Sequence, residues 1–237
     1  MLQLSDGKEI WKTSRKDICE RSWGTPLIHS NEDDTQVVIN GWPWVVSYNF
    51  SDGSERWRLK GGGDNPVPTP FESNGWIYIT SAHGGPSPIY VIRPDASGDI
   101  TPALPQADRT DREQPFVWNV DKGGSYMSTP VVYGERMYVA TAKGVVRCFH
   151  AKTGERLFEQ RLGRKAGVIG SLVAGDDKVY LASENGSVFV LEDDSEFKLI
   201  SENPMGEPCL ATPAISEGVL FVRTTNRLVA IKDQSKE

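Results

Sequence analysis

"MSTPVVYGERMYVATAKGVVRCFHAKTGERLF" (Met127–Phe158) decides the fold, because the chain says nearly the same thing several times. Compare "WGTPLIHSNEDDTQVVINGWPWVVSYNFSDGSERW" (Trp23–Trp57) and "LATPAISEGVLFVRTTNRLVAIKD" (Leu210–Asp233). Each opens on Thr-Pro and continues with a short apolar run, a polar turn, a second run and a third. The Thr-Pro proline falls at Pro26, Pro70, Pro130 and Pro213, and Leu172 takes its place in a weaker copy, Gly170-Ser171-Leu172. The successive spacings are 44, 60, 42 and 41 residues. A period just above 40 belongs to propellers or helical arrays.

The local pattern decides between the two. "RMYVATA", "KVYLASE", "WIYITSA" and "TQVVING" are rich in Val, Ile, Tyr and Thr and are separated by Gly, Asn and Asp turns. No window keeps helical apolar spacing over ten residues. The pattern predicts an all-β chain, a β-propeller of four-stranded antiparallel blades with about five repeats. Within a repeat the strands are "VVY", "MYVATA", "VVRCFHA" (or "SVFVLED") and "ERLFEQ" (or "ERWRLK", "KEIWKT"). The repeats fall near 1–17 (partial), 18–63, 64–124, 125–166, 167–206 and 207–237 (partial), within one domain of 1–237. An extra Pro- and Asp-rich stretch, "SGDITPALPQADRTDREQP", reads as an exposed loop.

One aromatic stands at a fixed place in most copies. Trp11 follows Gly7 by four residues, Trp57 follows Gly53 and Phe158 follows Gly154; Trp118 is the second repeat's version after the insertion. Regular recurrence predicts structural docking between blades, one large flat side chain per sheet. The fourth repeat, "EDDSEFKLI", lacks both Thr-Gly and Trp.

"AKTGERLF", "LSDGKEIW" and "NFSDGSERW" resemble the docking motif of the PQQ-like (quinoprotein-type) β-propeller repeat, and "STPVVYGERMYVATAKGVVRCFHA" resembles the body of its blade. That family includes quinone-dependent alcohol dehydrogenases, outer-membrane assembly lipoproteins of the BamB type and many exported bacterial proteins. The resemblance implies a periplasmic or exported setting for the full-length parent. It also implies seven or eight blades, so about five repeats read as an arc of a larger propeller or as a closed ring in which the two partial ends complete each other.

Composition narrows the function. The 237 residues carry a net charge of −6, with 38% hydrophobic and 24% charged residues, which is globular and unlike a general nucleic-acid binder. Arg161, Arg164 and Lys165 read as a solvated turn. No run approaches the ~20 apolar residues of a membrane span, and the start shows no signal-peptide pattern. The three cysteines, Cys19, Cys148 and Cys209, are widely spaced and read as buried thiols.

Catalytic motifs are missing. The acidic runs Asn31–Thr35 and Glu192–Glu196 read as hairpin tips, and "GGGDNP" (Gly61–Pro66) as a flexible turn. No cofactor is expected. PQQ with calcium enters only under an alternative reading, a fragment of an alcohol or sugar oxidoreductase, which the resemblance alone suggests. The leading reading is a non-catalytic scaffold presenting loops and a channel rim to a protein or small ligand. Its candidate contacts are Trp23, His83 in the "SAHGGPSP" loop, Tyr126, and Trp42 and Trp44 of "GWPWVV", a segment read as a turn.

Overall fold

The structure, a computed structural model, describes residues 1–31, 34–102, 115–163 and 166–232. Every regular element among them is a β-strand. Most of the predicted loop around 103–114 lies outside the described residues, as do 32–33 of the acidic tip and Arg164 and Lys165 of the basic patch. The chain divides into two compact units, Met1–Lys122 and Gly123–Glu237.

The N-terminal unit holds two blades. Blade one is β2 (Leu27–Ser30), β3 (Thr35–Ile39), β4 (Trp42–Asn49) and β5 (Glu55–Lys60), paired antiparallel in that order, with short β1 (Cys19–Arg21) joined to the start of β4. Blade two is β6 (Phe71–Ser73), β7 (Trp76–Thr80), β8 (Ile89–Ile92) and β10 (Phe116–Val120). Strands β7 and β8 are apolar almost throughout because both faces are covered, so they do not alternate. Between β8 and β10 the chain leaves its own blade. There β9 (Gly98–Asp99) runs parallel to β5, with Gly98 opposite Trp57.

The C-terminal unit holds blade three, β11 (Val131–Tyr133), β12 (Arg136–Ala140), β13 (Val145–His150) and β14 (Arg156–Arg161), and blade four, β15 (Val173–Gly175), β16 (Lys178–Ala182), β17 (Ser187–Glu192) and β18 (Leu199–Pro204). Blade five is the three-stranded sheet β19 (Ala214–Ser216), β20 (Val219–Arg223) and β21 (Leu228–Lys232). Three blades bulge at the same place, just after the pairs Ser47–Trp57, Cys148–Phe158 and Val190–Ser201. A bulge at a fixed position turns each outer strand by the same added twist.

The Thr-Pro repeat acquires a physical meaning at the seams. In the C-terminal unit the Thr129 amide donates to Ser171 Oγ (3.0 Å) and the Ser171 amide to Thr212 Oγ1 (2.9 Å). Each hydroxyl thus accepts from its equivalent one blade earlier. In the N-terminal unit Asn40 Nδ2 does the stitching, donating to the Pro68 and Thr80 carbonyls (2.8 and 3.0 Å). A deeper lock joins blades three and four: Arg136 and the Tyr138 hydroxyl both donate to the Asp193 carboxylate (2.6 Å each). Burial alone would raise the Asp193 carboxyl, but these bonds outweigh it and hold the group below the usual carboxylate range. Asp193 lies in the acidic run read as a simple tip; its side chain is only 7% exposed.

The core lies between neighbouring blades. Trp57 and Leu59 of β5 share a buried cluster with Ile77, Ile79 and Ile92 of blade two. Tyr138, Val146 and Cys148 of blade three share another with Val179, Leu181 and Phe189 of blade four. Burying each aliphatic side chain contributes roughly 1.5–3 kcal/mol. Burial also pushes the Cys148 thiol up to about 12, as befits an inert core residue. Cys209 is likewise buried and free, whereas Cys19 is half-buried.

Among the described residues of the N-terminal unit, "KEIWKT" makes a bridge from Glu9 to Leu2, closed by the Gln3 and Gly7 amides as a tight turn, and pairs with neither blade of that unit. One expectation fails locally: the "GWPWVV" tryptophans are not at a turn, because the reversal is confined to Asn40 and Gly41 and β4 already begins at Trp42.

Candidate binding site on the rim of the N-terminal unit

Two loops of the N-terminal unit build the site. One is Gly61–Pro66, between β5 and β6; the other runs from Ser81 to Ser87, between β7 and β8. They are zipped together: the Asp64 amide donates to the His83 carbonyl (3.2 Å) and Ser81 Oγ to the Gly63 carbonyl (3.1 Å). A Cβ at Gly63 would overlap the His83 backbone nitrogen, so only glycine permits this approach. The glycine run is therefore a close-packed joint, and the expectation of a flexible turn is corrected.

A polar chain runs across this joint. His83 Nδ1 lies 2.5 Å from Asp64 Oδ1, and Arg21 reaches the other carboxylate oxygen at 3.4 Å. The hydrogen bond to His83 holds the Asp64 carboxyl below its usual range. The Arg21 guanidinium sits 5.7 Å from the centre of the Trp42 ring. Trp42 and His83, far apart in sequence, are thereby tied into one network through Arg21 and Asp64. These side chains are 37–48% exposed, so their ion pairs add little stability and act mainly to fix positions.

Trp44 forms a second cluster, with Arg58 5.4 Å and Lys60 5.6 Å from its ring centre. Such cation–ring contacts are worth ~0.5–1 kcal/mol at exposed sites. Arg58 is held in turn by Glu55 (2.6 Å). Trp23 stands beside these loops. Its amide donates to the Pro66 carbonyl (3.1 Å) while its side chain is 68% exposed. Tyr126 belongs to the C-terminal unit, where it is half-buried beside the Ser125–Ser128 turn.

The four docking aromatics differ in burial. Trp57 is fully buried and Trp118 is 8% exposed, edge-on to Tyr78 of its own blade. Trp11 is half-buried; its indole donates to the Phe50 carbonyl (2.8 Å) and its ring lies on Gly53, whose added Cβ would overlap it. Half-buried Phe158 meets Phe197 edge-on at 5.7 Å. Sequence reasoning missed Phe197 because no Thr-Gly precedes it, and missed Arg21, Asp64, Arg58 and Lys60 because nothing local marks them. The three successive glycines were a usable signal of close backbone approach.

His29 is buried with Nδ1 2.9 Å from Glu72, a tie between β2 and β6, and His150 accepts from the Lys152 amide (3.3 Å). Among the described residues no group of three or more His, Cys, Asp or Glu is placed to hold a metal ion, and no helix is long and apolar enough to cross a membrane.

Stacked antiparallel blades joined by repeated hydroxyl–amide seams define a β-propeller built from PQQ-like repeats. The chain belongs to the BamB family of this class: the family profile described as outer membrane protein assembly factor BamB matches residues 113–237. It is similar to the BamB of Burkholderia pseudomallei, with 32% identity over 148 residues, covering 60% of this chain and 37% of that protein. It is also similar to the BamB of Moranella endobia, with 26% identity over 53% of this chain and 36% of the relative. The chain thus spans little more than a third of the curated relatives it matches. The crystal structure of BamB from Moraxella catarrhalis matches with a TM-score of 0.66 and 13% identity, over 95% of this chain and 62% of that one, a likeness of fold.

Proposed function

We propose that this chain is a non-catalytic binding propeller of the outer-membrane assembly type, periplasmic or exported, whose N-terminal rim holds a partner protein. One observation carries the reading: Trp23, 68% exposed, stands on a loop whose neighbours are locked by the Gly63–His83 joint and the Arg21–Asp64 pair. A large ring on a preformed support loses little entropy on binding and suits a central contact. Support also comes from the family, described as an outer membrane protein assembly factor.

The test is a titration of the purified chain with an unfolded outer-membrane β-barrel protein, followed by fluorescence anisotropy. Saturable binding is expected, weakened at least tenfold by Trp23→Ala. Equal affinity of that variant and the parent chain refutes the rim as the contact.

A further inference from the structure

Of the three thiols, two are sealed. Cys148 and Cys209 are 0% exposed, whereas Cys19, on β1, is half-buried. Cys19 also has neighbours of a particular kind. A Cβ on Gly41, at the reversal into β4, would lie 2.8 Å from Cys19 Sγ, 2.9 Å from Arg15 Nη2 and 2.7 Å from the Trp44 carbonyl oxygen. The thiol and the guanidinium thus flank the same spot beside Gly41, where only glycine leaves room.

The polar groups around this spot are left open. Among the described residues, Arg15 Nε and Nη2 are buried without a hydrogen-bond partner. So is the hydroxyl of Tyr48, a residue of β4 that is 2% exposed. Burial raises that hydroxyl above its usual range; Arg15 opposes the rise and Cys19 adds to it, so the hydroxyl lies in the field of both. Buried donors without an acceptor are costly, and an oxygen carried on the Cys19 sulfur would supply the acceptor.

We propose that Cys19 is a site of oxidation to the sulfenic acid, with hydrogen peroxide as the oxidant. The sulfur attacks one peroxide oxygen, and the S–O bond forms as the O–O bond breaks. Sulfur loses two electrons, the peroxide gains them, and the thiol proton leaves with the departing oxygen as water. The new oxygen accepts from Arg15 Nη2 and from the Tyr48 hydroxyl. The thiol's donation to the Arg21 carbonyl (3.1 Å) is given up. A partly exposed sulfur beside a cation is the setting in which thiols react with peroxides, whereas apolar burial makes them inert. Burial pushes the Cys148 thiol up to about 12 and raises that of Cys209, so these two serve as internal controls. The inference is independent of the protein-binding reading.

The purified chain is treated with a small excess of hydrogen peroxide in the presence of dimedone, then digested and read by mass spectrometry. A dimedone adduct on the Cys19 peptide is expected, with Cys148 and Cys209 unmodified until the chain is unfolded in urea. Arg15→Ala should slow adduct formation at least tenfold, and Arg15→Lys should recover part of the rate. Tyr48→Phe keeps the ring and removes only the hydroxyl. It should shorten the lifetime of the sulfenic acid at least threefold, measured by delaying the dimedone. A circular-dichroism melt reports whether each variant is folded; where Arg15→Ala is not, Tyr48→Phe decides. No adduct at Cys19, equal labelling of all three thiols in the folded chain, a wild-type rate in folded Arg15→Ala or a wild-type lifetime in Tyr48→Phe overturns the proposal. A disulfide-linked dimer formed in place of the adduct also overturns it.

Discussion

Replacing Trp57 by alanine removes the largest fully buried side chain, and the cost can be worked from its surroundings. The residue is 0% exposed and shares one buried cluster with Val45 and Leu59 of its own blade and with Ile77 and Ile92 of the next. Deleting such a ring costs about 3–5 kcal/mol through lost transfer energy and the cavity left behind. Its indole also donates to Gln36 Oε1 (3.0 Å), but that oxygen keeps the Ser47 hydroxyl (2.7 Å). No buried acceptor is stranded, so the hydrogen bond adds only about 1 kcal/mol. The expected loss is therefore in the upper half of the range, about 4–5 kcal/mol, a large share of the ~5–15 kcal/mol a domain has. Urea unfolding followed by circular dichroism should show the midpoint fall with it, and Tm should drop by roughly 15 °C. Trp57→Phe, which keeps a ring but loses the donor and some volume, should cost about half as much. A loss below about 1 kcal/mol for Trp57→Ala would refute the inter-blade packing.

Other consequences follow from the seams and turns. Asp193 is held below its unfolded value, so its contribution is present above pH ~3.9 and is lost as pH falls through the lower folded value. Acid titration of stability should show this loss below about pH 4, and Asp193→Asn should flatten that limb while lowering stability at pH 7. Gly53 has φ +72° and supports the Trp11 ring, so Gly53→Ala should cost at least ~1 kcal/mol and expose Trp11. A red shift in tryptophan emission, absent in Trp11→Phe, checks it. Ser171→Ala leaves the Thr129 amide without its acceptor, costing about 1–3 kcal/mol in the same urea assay.

What the sequence disclosed was the blade body, because it is written in local pattern. "VVY", "MYVATA", "VVRCFHA" and "ERLFEQ" reappear as β11 to β14 with ends shifted by only a residue or two. Strand character there comes from β-branched and aromatic residues with turn residues between them. "KEIWKT" carries the same signature yet, among the described residues, joins neither blade of its own unit, since pairing depends on what lies alongside. The rim network was illegible for a similar reason. Arg21 and Asp64 are 43 residues apart, and Asp64 and His83 are 19 apart. Only closure of two loops brings them together. The Asp193 lock spans 57 residues to Arg136, and its acidic run looked like any solvated tip.

Calorimetry separates the proposed protein-binding role from uptake of a redox cofactor. The purified chain is titrated in parallel with an unfolded outer-membrane β-barrel protein and with PQQ in the presence of calcium. Saturable heat is expected with the barrel protein, lost in Trp23→Ala, and none with the quinone. Stoichiometric quinone uptake with no response to the barrel protein would contradict that role.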